Sequence, residues 1–176
     1  MPVLLLKTEK ETQRLAIKLA KCCPKNQRFI IFLSGELGAG KTYFVRAFIK
    51  SFGYPGLVKS PTYTLVETYE ISTYLIYHLD LYRLQDPVEI LDMGLYDEFD
   101  RSAIWLIEWP KRAISFLPKP DITVNFNLVG TTRQIQLEAQ TCQGEQAFIS
   151  LNKAAKYSHD LLSQDLKYPN EGHLSA

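Results

Sequence analysis

The chain is poor in cysteine, has no long apolar run and carries almost no net charge. Of its three cysteines, Cys22 and Cys23 are adjacent and Cys142 is distant, so neither an even disulfide framework nor a CxxC spacing is present. Reduced thiols in a cytoplasmic protein are expected, and zinc is not. The apolar start, VLLL at 3–6, is too short for a signal peptide or a membrane span. With 20 basic against 19 acidic residues the net charge is +1, which leaves no overall pull toward nucleic acid or an anionic membrane. Any tie to RNA is therefore local or indirect.

What is present is the composition of one soluble domain: 176 residues, 46% hydrophobic and 22% charged. A domain of this size buries roughly 70% of its unfolded surface and needs no disulfide or structural metal. Residues 1–153 are expected to form it, with 154–176 a polar, weakly ordered tail. No internal repeat or low-complexity segment is visible.

Thr8 and Glu11 have capping-box spacing, and Leu15, Ala16, Leu19, Ala20 and Cys23 fall on one helical stripe. RFIIFLS (28–34) reads as a strand covered on both faces, and KTYFVRAFIKSF puts Phe44, Val45, Phe48, Ile49 and Phe52 on one helix face that stops at Gly53. SPTYTLVETYE (60–70) and YLIYHLDLYRL (74–84) read as a hairpin. DPVEILDMG has the signals of a short helix, with Asp86 as cap and Gly94 as stop. AIWLIEW (103–109) is another buried strand, 110–116 a further short helix, and DITVNFNL with RQIQLEA a last strand pair joined at Gly130 and Thr131. From about Gln140 the chain turns polar and loses its period. Strands alternating with helices and a glycine turn between them point to an α/β, three-layer fold with a mixed, mostly parallel sheet.

The segment LSGELGAGKTYF (33–44) crowds three glycines into six positions between that strand and that helix. Gly35, Gly40, Lys41 and Thr42 form GxxxxGKT. Bare backbone at Gly35, Gly38 and Gly40 lets N–H groups wrap phosphate oxygens, Lys41 brings charge to the β- and γ-phosphates, and the Thr42 hydroxyl is available to Mg2+. The helix N-terminus adds its dipole. A guanine-reading NKxD and a DxxG switch are both missing, which favours ATP. A metal-supporting acid is expected at a strand end beside the loop, where Asp80 and Glu108 both qualify. Glu108 ends the more apolar run and is the first choice.

Read together, GELGAGKT, VKSPTYTLVETY, HLDLYRL and IEWP resemble the bacterial TsaE family over about residues 8–139. The resemblance implies an ATPase that works with two partner proteins, TsaB and TsaD, in placing a threonylcarbamoyl group on adenosine 37 of tRNAs that read codons beginning with A. In that family the ATPase is required for repeated turnover, and tRNA is met through the complex. It implies that Leu37, Gly38, Ala39, Gly40, Lys41 and Thr42 contact the phosphates, that Thr42 and Glu108 hold Mg2+, that Thr62 lies in a switch-like segment, and that Asp80 supports hydrolysis. Glu11, Lys111 and Arg133 stand where the family contacts the outer parts of the nucleotide, although Glu11 also has its capping role. Trp109 stands near the site or simply packs, and His78, on the face of its strand that Asp80 shares, orients Asp80 or simply packs. Tyr43 occupies a position where the family commonly has a small hydroxyl residue, and the C-terminal segment has no counterpart in it. Weak self-association is compatible with this reading, and a membrane is not involved.

Two alternatives belong to other classes. A small-molecule or nucleoside kinase of P-loop type would bring an arginine-rich lid. Here the arginines stand singly, at 14, 28, 46, 83, 101, 112 and 133. A nucleotide-binding module without turnover would not need Lys41, Thr42, Asp80 and Glu108 together.

Overall fold

The computed structural model describes residues 3–130 and 132–157, with side chains up to residue 153. The expected tail and Thr131 lie outside the described residues, except that the backbone of the last helix continues to Tyr157. Seven strands and four α-helices alternate along the chain: β1 (Val3–Leu6), α1 (Glu9–Cys22), β2 (Phe29–Gly35), α2 (Lys41–Lys50), β3 (Val66–Ile71), β4 (Tyr74–Asp80), α3 (Glu89–Asp92), β5 (Ile104–Glu108), β6 (Ile122–Val129), β7 (Thr132–Ala139) and α4 (Cys142–Tyr157).

They build one sheet of order β1-β7-β6-β2-β5-β4-β3. The four central strands, β6, β2, β5 and β4, run parallel, while β3, β7 and β1 pair antiparallel on the flanks. The sheet is thus the mixed one expected, its parallel part confined to the middle.

Strand β2 alternates its burial between two cores, as a central strand must. Phe29, Ile31 and Leu33 face α1, α2 and α4, where Leu15, Leu19, Phe44, Phe48 and Leu151 cover them. Ile30 and Phe32 face the opposite layer with Leu79, Trp105, Ile107, Ile90 and Phe99. Each fully buried side chain of this size contributes about 1.5–3 kcal/mol. Aromatic pairs add direction: Tyr77 stacks on Trp105 at 4.0 Å, and Phe44 meets Phe126 edge-on at 5.7 Å.

The cap predicted for α1 forms: Thr8 Oγ1 accepts from the Glu11 N–H and Glu11 accepts from the Thr8 N–H, both at 3.2 Å. Asp86 is not the cap of α3, which starts one turn later with Val88 as N-cap and no side-chain bond there; Asp86 Oδ1 instead accepts from Val88 N–H at 2.9 Å in the turn before it.

Three further readings change, and residues 3–6, for which the sequence predicted no element, pair with β7 and close that edge of the sheet. Residues 60–65 are not strand: Leu65 has φ 60° and its N–H closes on Pro61 O at 2.7 Å, so pairing starts only at Val66. Residues 110–116 hold two 3-10 turns, Pro110–Arg112 and Ile114–Phe116. Cys142–Tyr157 is a helix, where the sequence shows no period. Thr141 Oγ1 donates to Asp121 Oδ1 at 2.5 Å and accepts from Gly144 N–H at 3.1 Å, which starts α4, and Ala147 and Leu151 bury its one apolar stripe.

Gly144 permits that packing: a Cβ there would stand 2.0 Å from Asp121 O. Helix propensity alone favours alanine by about 1 kcal/mol. The clash reverses the sign, and Gly144→Ala is expected to destabilise the chain by roughly 1–3 kcal/mol. Thermal unfolding should show Tm lowered by about 2–10 °C, and an unchanged or raised Tm would contradict the packing described.

Candidate functional site

Parallel pairing brings the carboxyl ends of β2, β4 and β5 to one edge of the sheet. Leu33 is in register with Glu108, and Glu108 with Asp80, so both acids end neighbouring strands beside the glycine turn. The turn leaves β2 at Gly35, where a Cβ would stand 2.4 Å from Phe126 O, and enters α2 at Gly40 with φ 105°. Neither position has room or conformation for a side chain. The first N–H groups of α2 have no intrahelical acceptor, so they and the helix dipole face the turn.

Lys41 is the centre of this turn. Its Nζ donates to Gly35 O at 2.9 Å and Glu36 O at 2.8 Å, and lies 4.0 Å from the centre of the Trp109 ring. Burial lowers the pKa of this ammonium, and the charges of Glu108 and then Asp80 oppose that shift. Trp109 holds a left-handed φ of 58° just past β5, its N–H donating to Leu33 O at 3.2 Å. That bend carries the ring over Lys41, so the side chain stands in the site.

Beside the lysine, Thr42 Oγ1 donates to Glu108 Oε2 at 3.0 Å, and His78 Nε2 bonds Glu108 Oε1 at 2.9 Å. His78 therefore orients Glu108, not Asp80. Asp80 Oδ1 accepts from Tyr82 N–H at 3.2 Å. Burial first and the Glu108 charge second raise the Asp80 carboxyl above the ordinary range.

These groups line a cleft of about 420 Å³ to which Leu37, Gly38, Gly40, Lys41, Thr42, Thr62, Asp80 and Glu108 all contribute. Thr62 Oγ1 lies 2.8 Å from Ser60 Oγ, and both residues line the cleft. Ala39 sits beneath, buried, its N–H donating to Glu36 O at 3.2 Å. Arg133 reaches the back of the loop from β7: its Nε lies 3.2 Å from where a Cβ of Gly40 would stand, and its Nη2 pairs with Glu9 at 3.5 Å. Lys111 lines a neighbouring cavity of about 370 Å³ with Glu36, Leu37 and Trp109. Glu11 stands at the start of α1, where its carboxylate accepts from the Lys7 and Thr8 N–H groups.

Ser60, Tyr82 and Arg83 also line the cleft and were not singled out from sequence. Arg83 stacks on Tyr63 at 4.4 Å. Tyr82 and Arg83 stand two and three residues past a strand-end acid, a position that flags them as mouth residues. Among the described residues Arg83 is the one arginine lining this cleft, which does not favour a kinase.

A central parallel sheet between helical layers, with a glycine turn feeding a helix at its carboxyl edge, is a P-loop NTPase fold. The sequence pattern of the family described as "Threonylcarbamoyl adenosine biosynthesis protein TsaE" matches residues 6–135, and the chain belongs to that family. It is similar to the tRNA threonylcarbamoyladenosine biosynthesis protein TsaE of Haemophilus influenzae, with 48% identity over 116 residues, 66% of this chain and 73% of that one. The protein of the same name from Rickettsia felis is 40% identical over 134 residues, 76% of this chain and 77% of that one. The crystal structure of Bacillus subtilis YdiB superposes with a TM-score of 0.72 at 25% identity, covering 86% of this chain and 94% of that one. Family membership gives the chain a role in tRNA threonylcarbamoyladenosine biosynthesis.

The Asp80 shift has a consequence for stability. A carboxyl whose folded pKa is raised adds stability below its unfolded value near 3.9, and that stability is lost as pH rises through the folded value. At pH 7, well above the unfolded value, Asp80 thus weighs against the fold. Asp80→Asn is expected to raise Tm by a few degrees at pH 7, with the gain fading below about pH 4. A lower Tm at pH 7 would contradict this.

Proposed function

We propose that the chain is a Mg2+-dependent ATPase that acts with TsaB and TsaD in forming the threonylcarbamoyl modification of adenosine 37, meeting tRNA through that complex. One observation carries the reading: Lys41, Thr42, Asp80 and Glu108 converge on a single cleft at the N-terminus of α2. Sequence kinship to proteins named for this modification supports the pathway.

The residues present suit the magnesium ion. Thr42 and Glu108 are hard oxygen donors from α2 and β5 that meet at 3.0 Å, and Mg2+ takes one or two protein oxygens together with phosphate and water. Thr42 and Glu108 would hold it, and the bound ion would neutralise charge on the β- and γ-phosphates. The remaining work belongs to the chain. The bare turn and the first N–H groups of α2 bind the phosphates. Lys41, now bonded to two loop carbonyls, has an ammonium with which to bridge phosphate oxygens. Asp80, held at one oxygen by Tyr82 N–H and raised in pKa, orients the attacking water and is able to take its proton as the γ-phosphoryl group leaves ADP. Thr62, which also lines the cleft, would sense the third phosphate. Arg133 and Lys111 approach the loop from outside the cleft and suit the outer parts of the nucleotide.

Steady-state ATP hydrolysis tests this. The chain alone is expected to turn over slowly and to rise several-fold with TsaB and TsaD from the same organism. Lys41→Ala should lose roughly 100-fold or more of the activity, and Glu108→Ala should lose the Mg2+ dependence of nucleotide binding. ATP use that depends on a small-molecule acceptor and ignores the protein pair would overturn the reading.

A further inference from the structure

We infer that His78 is a positioning residue for the metal-holding carboxylate, fixing Glu108 so that Oε2 is presented to Thr42 and the cleft. The inference rests on reading Thr42 and Glu108 as the Mg2+ pair.

Three observations meet here. First, Glu108 divides its oxygens: Oε1 takes the His78 bond at 2.9 Å and Oε2 the Thr42 bond at 3.0 Å. A planar carboxylate bonded at both oxygens by groups on two different elements cannot rotate freely about its last side-chain torsion, which is otherwise broad. Second, the imidazole is fully buried, at 0% exposure, and does not line the cleft, so it acts through Glu108. Third, its Nδ1 has no hydrogen-bond partner among the described residues. A buried polar atom left unpaired weighs against the fold. Packing alone would favour an apolar side chain here, such as the Ile76 that precedes it on the same strand face and joins the core. The ring keeps one polar bond, and that bond ends on Glu108. Groups that orient a metal ligand from behind typically govern about 10–100-fold in metal affinity.

The two ring nitrogens suggest the test. Glutamine at position 78 brings its amide nitrogen to about the place of Nε2 and can still donate to Glu108, whereas asparagine reaches only the place of Nδ1. Binding of a fluorescent N-methylanthraniloyl-ADP by the full chain is measured first in EDTA and then across a Mg2+ series, for wild type, His78→Gln and His78→Asn. The expected result is equal affinity of all three in EDTA. His78→Asn should then need about ten-fold more Mg2+ for half-maximal tightening, and His78→Gln should lie within about two-fold of wild type. Equal Mg2+ midpoints in wild type and His78→Asn would overturn the inference while leaving the metal reading intact. Loss of binding in EDTA by both variants would also overturn it, marking His78 as structural only. A wild-type chain indifferent to Mg2+ would defeat the metal reading itself, and the positioning role with it.

Discussion

A buried ammonium in a turn of bare backbone is the constraint around which the site is arranged. Lys41 enters a place where burial disfavours its charge, and four groups answer it: two loop carbonyls as acceptors, and Asp80 and Glu108 as countercharges. The carbonyl bonds require the backbone to curl back on the lysine, which a Cβ at Gly35 or Gly40 would prevent. The countercharges require acids at the ends of two adjacent strands, which parallel pairing of β4 with β5 provides. Burial first, and then repulsion between the two acids, raise the Asp80 carboxyl. Glycines, sheet order and acid pair are thus parts of one electrostatic arrangement.

The two acids share a neighbourhood and differ in what holds them. Glu108 is fixed at both oxygens, by a hydroxyl from α2 and an imidazole from β4. Asp80 is held at one oxygen by a backbone N–H. A carboxylate fixed at both ends suits a ligand of constant geometry, and one with an oxygen to spare suits a proton or a water. The same division explains why the walls come from separate elements: the loop and α2 supply positive field, and the strand ends supply oxygen.

Much of this was legible because it is local. GxxxxGKT between an apolar strand and a helix is a contiguous signal, and so is the Thr8–Glu11 box, each set by a few residues. What depended on distant partners was not. The VLLL segment is a strand only because β7 offers it an edge. Residues 60–65 have strand composition, yet the left-handed Leu65 turns them into a wall of the cleft. Helix α4 hides behind Gly144, a poor helix former that fits because Asp121 leaves no room for a larger residue. His78 and Asp80 share a strand face, which suggested that they touch. The shorter path for the imidazole runs across the sheet to Glu108, and no spacing within one strand reveals it.

A crystal structure with Mg2+ and a non-hydrolysable ATP analogue tests the proposed nucleotide site around Lys41 most directly. The account predicts Lys41 Nζ released from Gly35 O and Glu36 O onto phosphate oxygens, with the metal between Thr42 and Glu108. An analogue bound elsewhere, or Lys41 still on its two carbonyls with phosphate in the turn, would contradict it.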